Sequence, residues 1–133
     1  MLEKDMIQER GFKNLFADGR AVGFQVRIRT PYYRGIWASL LEGAEVTVDG
    51  QKFSPEEVKW TIGDKTYTLA ELEKASNVRW PFEEAATLTV PKSGGLSAGL
   101  HKIEVCMLYR ASYIPESLGL WPMKSERTIT LVH

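Results

Sequence analysis

The 133-residue sequence has one cysteine, two histidines and no excess charge, with 17 Lys and Arg against 17 Asp and Glu. A lone Cys106 excludes an internal disulfide, and its place in the alternating run Ile103 to Tyr109 reads as a buried thiol. A nucleophilic cysteine needs a neighbouring base or cation to lower its pKa, and none is adjacent in sequence. His101 and the terminal His133 are too few for a zinc or iron site, and no acidic cluster has calcium-loop spacing, so no metal or other cofactor is expected on this chain. The balanced charge, without a polybasic window, argues against nucleic acid. No apolar run approaches the roughly 18 residues of a membrane span, and Met1-Leu2-Glu3-Lys4-Asp5 lacks the order of a signal peptide. A cytoplasmic protein without a membrane partner is the expectation. Nor is there a Ser/His/Asp arrangement, and Glu83-Glu84 would point to opposite faces of a strand, so a self-contained active site is not expected.

What is present is strand-forming. At about 150 residues per domain, residues 1–133 make one domain, and 44% hydrophobic composition supplies its core. Val22, Phe24, Val26 and Ile28 alternate with Gly23, Gln25, Arg27 and Arg29, the period of a strand with one buried face. Residues 45–53 read as a hairpin turning at Asp49-Gly50, a pair suited to the positive φ of a type I′ turn. Short strands are expected at 58–62, 66–69 and 86–90, a long one from Gly99 with the stripe Ile103, Val105, Met107, Tyr109, and a last one at 127–132. One brief helix fits Thr68 to Ala75, with Thr68 as N-cap and Glu71 completing a capping box. Polar residues 1–10 suit an arm or a short edge strand. Many short strands without helices between them imply an all-β fold, an antiparallel, jelly-roll-like β-sandwich with one short helix.

Three segments concentrate aromatic side chains: Thr30 to Trp37, with Tyr32, Tyr33 and Arg34; Arg79 to Phe82; and Tyr109 to Met123, with Tyr113, Pro115 and Trp121. Tyr, Trp, Arg and Met are enriched at the cores of interfaces. The same residues also serve to close the ends of a sandwich as a small core, and both readings stand at this point. The glycine-rich Lys92 to Gly99 is followed by a strand rather than a helix, so it reads as a wide turn and not as a phosphate loop. His101, just beyond it, reads as a packed or hydrogen-bonded strand residue, or as a polar neighbour of a partner's site.

In order and spacing, Gly23-Phe24, Tyr33-Arg34-Gly35, Val48-Asp49-Gly50, Trp80-Pro81-Phe82, Gly94-Gly95-Leu96-Ser97-Ala98-Gly99-Leu100-His101 and Tyr113-Ile114-Pro115 resemble the small (β) subunit of bacterial C-glycoside deglycosidases. The resemblance implies a β-sandwich paired with an α subunit similar to sugar-phosphate isomerase TIM barrels, in a higher oligomer of α–β pairs. It also implies that a divalent metal, Mn2+, and the acid–base residues sit on the α subunit. The implied substrates are 3-oxo-C-glucosides of flavonoids and related phenolics. Their C–C bond would be cleaved by metal-assisted elimination, because a 3-ketone acidifies the C2 hydrogen where an aryl carbon is otherwise a poor leaving group. This chain would then supply binding and shape. No catalytic residue is assigned to it, and Tyr32, Tyr33, Arg34, Trp37, His101, Tyr113, Pro115, Trp121 and Met123 are its candidates for the partner interface or the rim of the substrate pocket. The alternative is a stand-alone carbohydrate-binding sandwich.

Overall fold

The computed structural model describes residues 6–30, 36–38, 41–75, 77–81, 83–109 and 121–131. Strands β1 (Ile7–Ala17), β2 (Arg20–Ile28), β9 (Ala86–Pro91), β6 (Lys59–Ile62) and β7 (Lys65–Tyr67) form one antiparallel sheet in that spatial order. A second sheet runs β11 (Trp121–Leu131), β10 (Gly99–Tyr109), β4 (Leu41–Val48) and β5 (Gln51–Phe53), and β3 (Ile36–Trp37) pairs with β8 (Arg79–Trp80). The all-β expectation holds. Phe24 of the first sheet meets Phe53 of the second edge to face at 5.5 Å, and one hydrophobic cluster joins both inner faces. Two packed sheets sharing one core make a sandwich.

Sequence dictates the joints. Asp49 and Gly50 take φ values of 50° and 89°, as the I′ turn between β4 and β5 requires. Asp18 and Gly19, at 52° and 77°, repeat the device between β1 and β2. Helix α1 (Leu69–Glu73) starts at Thr68, whose hydroxyl accepts from the Glu71 N–H while the Glu71 carboxylate accepts from the Thr68 N–H. Leu72 is its one buried side chain.

Several expectations need correction. Residues 7–10 do belong to an edge strand, but to a long one, the 11-residue β1, whose alternation is broken by a register shift around Gly11 (φ 83°). A second shift pairs Leu15 with Gly23 and Phe16 with Ala21, which skips Val22 and leaves it exposed rather than on the buried stripe. Cys106 is half-buried, not buried. It alternates with the core residues Val105 and Met107 and so takes the outer face of its sheet. Finally, β11 begins at Trp121 instead of residue 127, so Trp121 and Met123 belong to a strand and not to a loop. Pro122 sits opposite Leu108 on a strand at the sheet's edge, where a proline is tolerated.

Candidate functional site

The strand registers decide where the aromatic segments lie. At one end of the sandwich Ile7 pairs with Ile28, Ile28 with Ala86, Leu41 with Tyr109, and Tyr109 with Trp121. Segments 30–37 and 109–123 therefore leave and rejoin the sheets at this same end. The third segment is tied to the first by the ladder Ile36↔Trp80 and Trp37↔Arg79, extended by the Ala38 N–H donating to the Val78 carbonyl at 2.8 Å.

Below this end lies a fixed floor. Trp80 is fully buried, meets Trp60 edge to face at 5.7 Å, and donates from Nε1 to the Glu84 carbonyl at 2.9 Å. Leu41, Ala38 and Trp60 are fully buried beside it in the same core, and Thr30 is 1% exposed. Trp60 Nε1 and Arg29 Nε are buried with no hydrogen-bond partner among the described residues. Among the described residues, Trp80 thus takes an end-closing role.

Among the sequence candidates, Trp37 takes a β3 position opposite Arg79, Trp121 faces Tyr109 and Met123 faces Met107 across the β10–β11 ladder. Tyr32, Tyr33, Arg34, Tyr113 and Pro115 lie outside the described residues. His101 stands apart from this group. It begins β10 at the opposite end of the sandwich, 6% exposed, with Phe12 edge to face at 6.2 Å.

The His101 ring is closed by two acceptors. Nδ1 lies 2.6 Å from Asp49 Oδ2 and Nε2 lies 2.6 Å from the Ser97 carbonyl. A carbonyl only accepts, so Nε2 carries hydrogen, and an ionised carboxylate makes the same demand of Nδ1. Burial pushes the ring's pKa down, but the Ser97 carbonyl, the Asp49 hydrogen bond and the Asp49 charge outweigh it and raise the value above 6.5. Asp49 is held below 3.8, first by the Lys102 N–H donating to Oδ1 at 2.8 Å and then by His101. Sequence reasoning missed Asp49 because it read the residue only as a turn former, 52 positions from its partner.

Alternation along β10 also separates chemistries. His101 faces the core while Cys106 faces outward, so the two form no dyad. Cys106 lines an open groove of about 350 Å³ with Glu45, Thr47, Lys52, Glu104 and Lys124. Among the described residues, no group of three or more His, Cys, Asp or Glu side chains is placed to hold a metal ion, and no helix is long and apolar enough to cross a membrane.

Residues 2–113 match the family model of the C-glycoside deglycosidase beta subunit. The chain is 35% identical over 126 residues to the C-glycoside deglycosidase beta subunit of Eubacterium cellulosolvens, covering 92% of this chain and 86% of that one. It is 33% identical over 102 residues to the 3'-dehydrocarminate deglycosidase beta subunit of a Microbacterium species, covering 77% and 75%. A C-glycoside deglycosidase beta subunit of Arthrobacter globiformis is 27% identical over 114 residues, covering 86% and 85%. Each of these names designates one subunit of an enzyme and implies an α partner. With the match running through both sheets and at this level of identity, the chain belongs to the family of C-glycoside deglycosidase β subunits.

Proposed function

We propose that this chain works as the β subunit of a cytoplasmic C-glycoside deglycosidase that cleaves 3-oxo-C-glucosides of flavonoids and related phenolics, with an isomerase-like barrel as its α subunit. The observation that carries the reading is the family match over residues 2–113 together with a relative 35% identical across nearly the whole chain. The 3-oxo sugar draws support from the name of the Microbacterium relative, whose substrate is a 3'-dehydro compound. Oxidation at C3 makes the C2 hydrogen acidic. Its removal gives an enolate, a C1–C2 double bond forms, the C1–aryl bond breaks, and the aryl carbon takes a proton.

On the family resemblance, the acid–base residues and the divalent ion, Mn2+, are assigned to the α subunit. This chain presents the segments at 30–37 and 109–123 to that partner and to the aglycone. The floor of Trp60 and Trp80 lies in the core beneath the described strand ends that flank these segments.

Co-expression with the barrel protein, size exclusion, and an assay of aglycone release from a 3-oxo-C-glucoside with and without Mn2+ test this. Co-elution, with release that neither chain gives alone, supports the reading. A stable monomer that ignores the barrel protein and binds glycosides by itself overturns it in favour of a carbohydrate-binding module. Within the complex, alanine at Tyr113 and Trp121 should weaken subunit association or aglycone affinity at least about tenfold, the scale of an aromatic anchor.

A further inference from the structure

Three strands of fact meet at the end of the sandwich opposite the aromatic segments. The glycine-rich segment 92–98 crosses from β9 of one sheet to β10 of the other. It is fastened at its middle by Asn14, whose side chain donates to the Leu96 carbonyl at 2.7 Å and accepts from the Leu96 N–H at 2.8 Å. Among the described residues, its far end is fastened through the Ser97 carbonyl on His101 Nε2. His101 is itself braced by the β4–β5 turn, because Asp49 bonds the ring and the Lys102 N–H with separate carboxylate oxygens.

We propose that His101 is a proton-operated latch, joining segment 92–98 and the β4–β5 turn to β10 while doubly protonated and releasing the Ser97 end when it loses one proton. The geometry sets which bond goes. A neutral imidazole keeps one N–H and faces two acceptors, and the carboxylate of Asp49 holds that hydrogen more strongly than a neutral carbonyl does. Nε2 is then left as a lone pair aimed at the Ser97 carbonyl at hydrogen-bond distance, which is repulsive. Gly99, with φ 124°, lies between Ser97 and His101 and gives the freed end its pivot. Asn14 continues to hold Leu96, so the opening is confined to the last residues of the segment.

The groups around the ring are few. Asp49 faces it from the turn, the Ser97 carbonyl from the segment, the Phe12 edge from β1, and Ile129 pairs with it from β11. Lys92 donates to the Gly95 carbonyl within the segment, and Lys102 pairs with Glu104 and Glu126 on the outer face. Among the described residues Asp49 is the charge bonded to the ring, and its removal should be the strongest single perturbation.

NMR of the full chain tests this. The sequence has two histidines, so the ring nitrogens of His101 are assigned by their loss in His101→Gln. Both should carry hydrogen at pH 6, with Nε2 losing its proton first as pH rises. The amide heteronuclear NOEs of Ser97 and Ala98 should then fall while amide exchange at Leu96, still held by Asn14, stays unchanged, as an opening confined to the last residues of the segment implies. Asp49→Asn keeps a residue that accepts positive φ and should lower the midpoint of the titration. A ring already neutral at pH 6, an Asp49→Asn midpoint equal to wild type, or heteronuclear NOEs at Ser97 and Ala98 unchanged across the titration overturns the latch. Should Asp49→Asn not fold, the wild-type ring titration alone decides.

Discussion

Replacing Trp80 with Phe measures how much of the sandwich depends on the floor beneath its aromatic end. Trp80 is fully buried, so none of what it loses is returned by water. The Nε1 bond to the Glu84 carbonyl contributes about 1 kcal/mol. The edge-to-face contact with Trp60 contributes about 1 kcal/mol, part of which a phenyl ring retains. The missing indole atoms cost about 1–2 kcal/mol at roughly 0.8 kcal/mol per buried CH2. A loss of about 3 kcal/mol follows, and with a urea dependence near 2 kcal/mol/M the unfolding midpoint should fall by about 1.5 M at unchanged slope. Far-UV circular dichroism is the suitable probe, because the substitution itself removes a fluorophore. Leu100→Ser serves as the control. Leu100 is apolar too but 72% exposed, and its replacement should stay within about 0.5 kcal/mol of wild type. If Trp80→Phe moves the midpoint by no more than Leu100→Ser does, Trp80 is not the close-packed support described above.

Asn14→Ala removes both side-chain bonds to Leu96 and should cost about 2 kcal/mol by urea denaturation, with faster amide exchange at Leu96; a neutral effect would refute the clamp. His101, raised above 6.5, contributes stability that is complete below pH 6.5 and lost as pH rises through its native value, so the thermal midpoint of wild type, but not of His101→Gln, should decline on the alkaline side. Asp49, lowered below 3.8, contributes stability that is complete above pH 3.8 and lost as pH falls through its native value, and Asp49→Asn should flatten that acid limb. Cys106 on the outer face should react with a thiol reagent in the folded chain, and Cys106→Ser should change stability by less than about 0.5 kcal/mol; a thiol that reacts only after unfolding contradicts its placement.

Local signals were legible in the sequence wherever one physical cause decided the outcome. The Thr68 and Glu71 capping box marks its helix, Asp49-Gly50 its hairpin, and the alternation from Ile103 to Met107 its core face. Elements escaped where two causes competed. The bulges in β1 scramble the period that would reveal it, although Asp18-Gly19 carries the same turn signature as Asp49-Gly50 and points to a hairpin there. Pro122 hides the start of β11, since a proline is compatible with a strand only at an edge, and edges are a property of the assembled sheet. The site divides in the same way. The convergence of the aromatic segments follows from strand registers that no single segment specifies, and His101 owes its state to a carboxylate distant in sequence.

The position of β11 bears on how the chain behaves before it meets another subunit. An 11-residue strand at the rim of a sheet is the kind of template on which a second chain could add itself and begin a fibril. Pro122 brings no N–H donor to this strand, Arg127 reaches across to the Ile7 carbonyl, and Lys124 and Glu126 charge the flank. With no net charge to keep copies apart, such local gatekeeping stands between a newly made subunit and self-polymerisation.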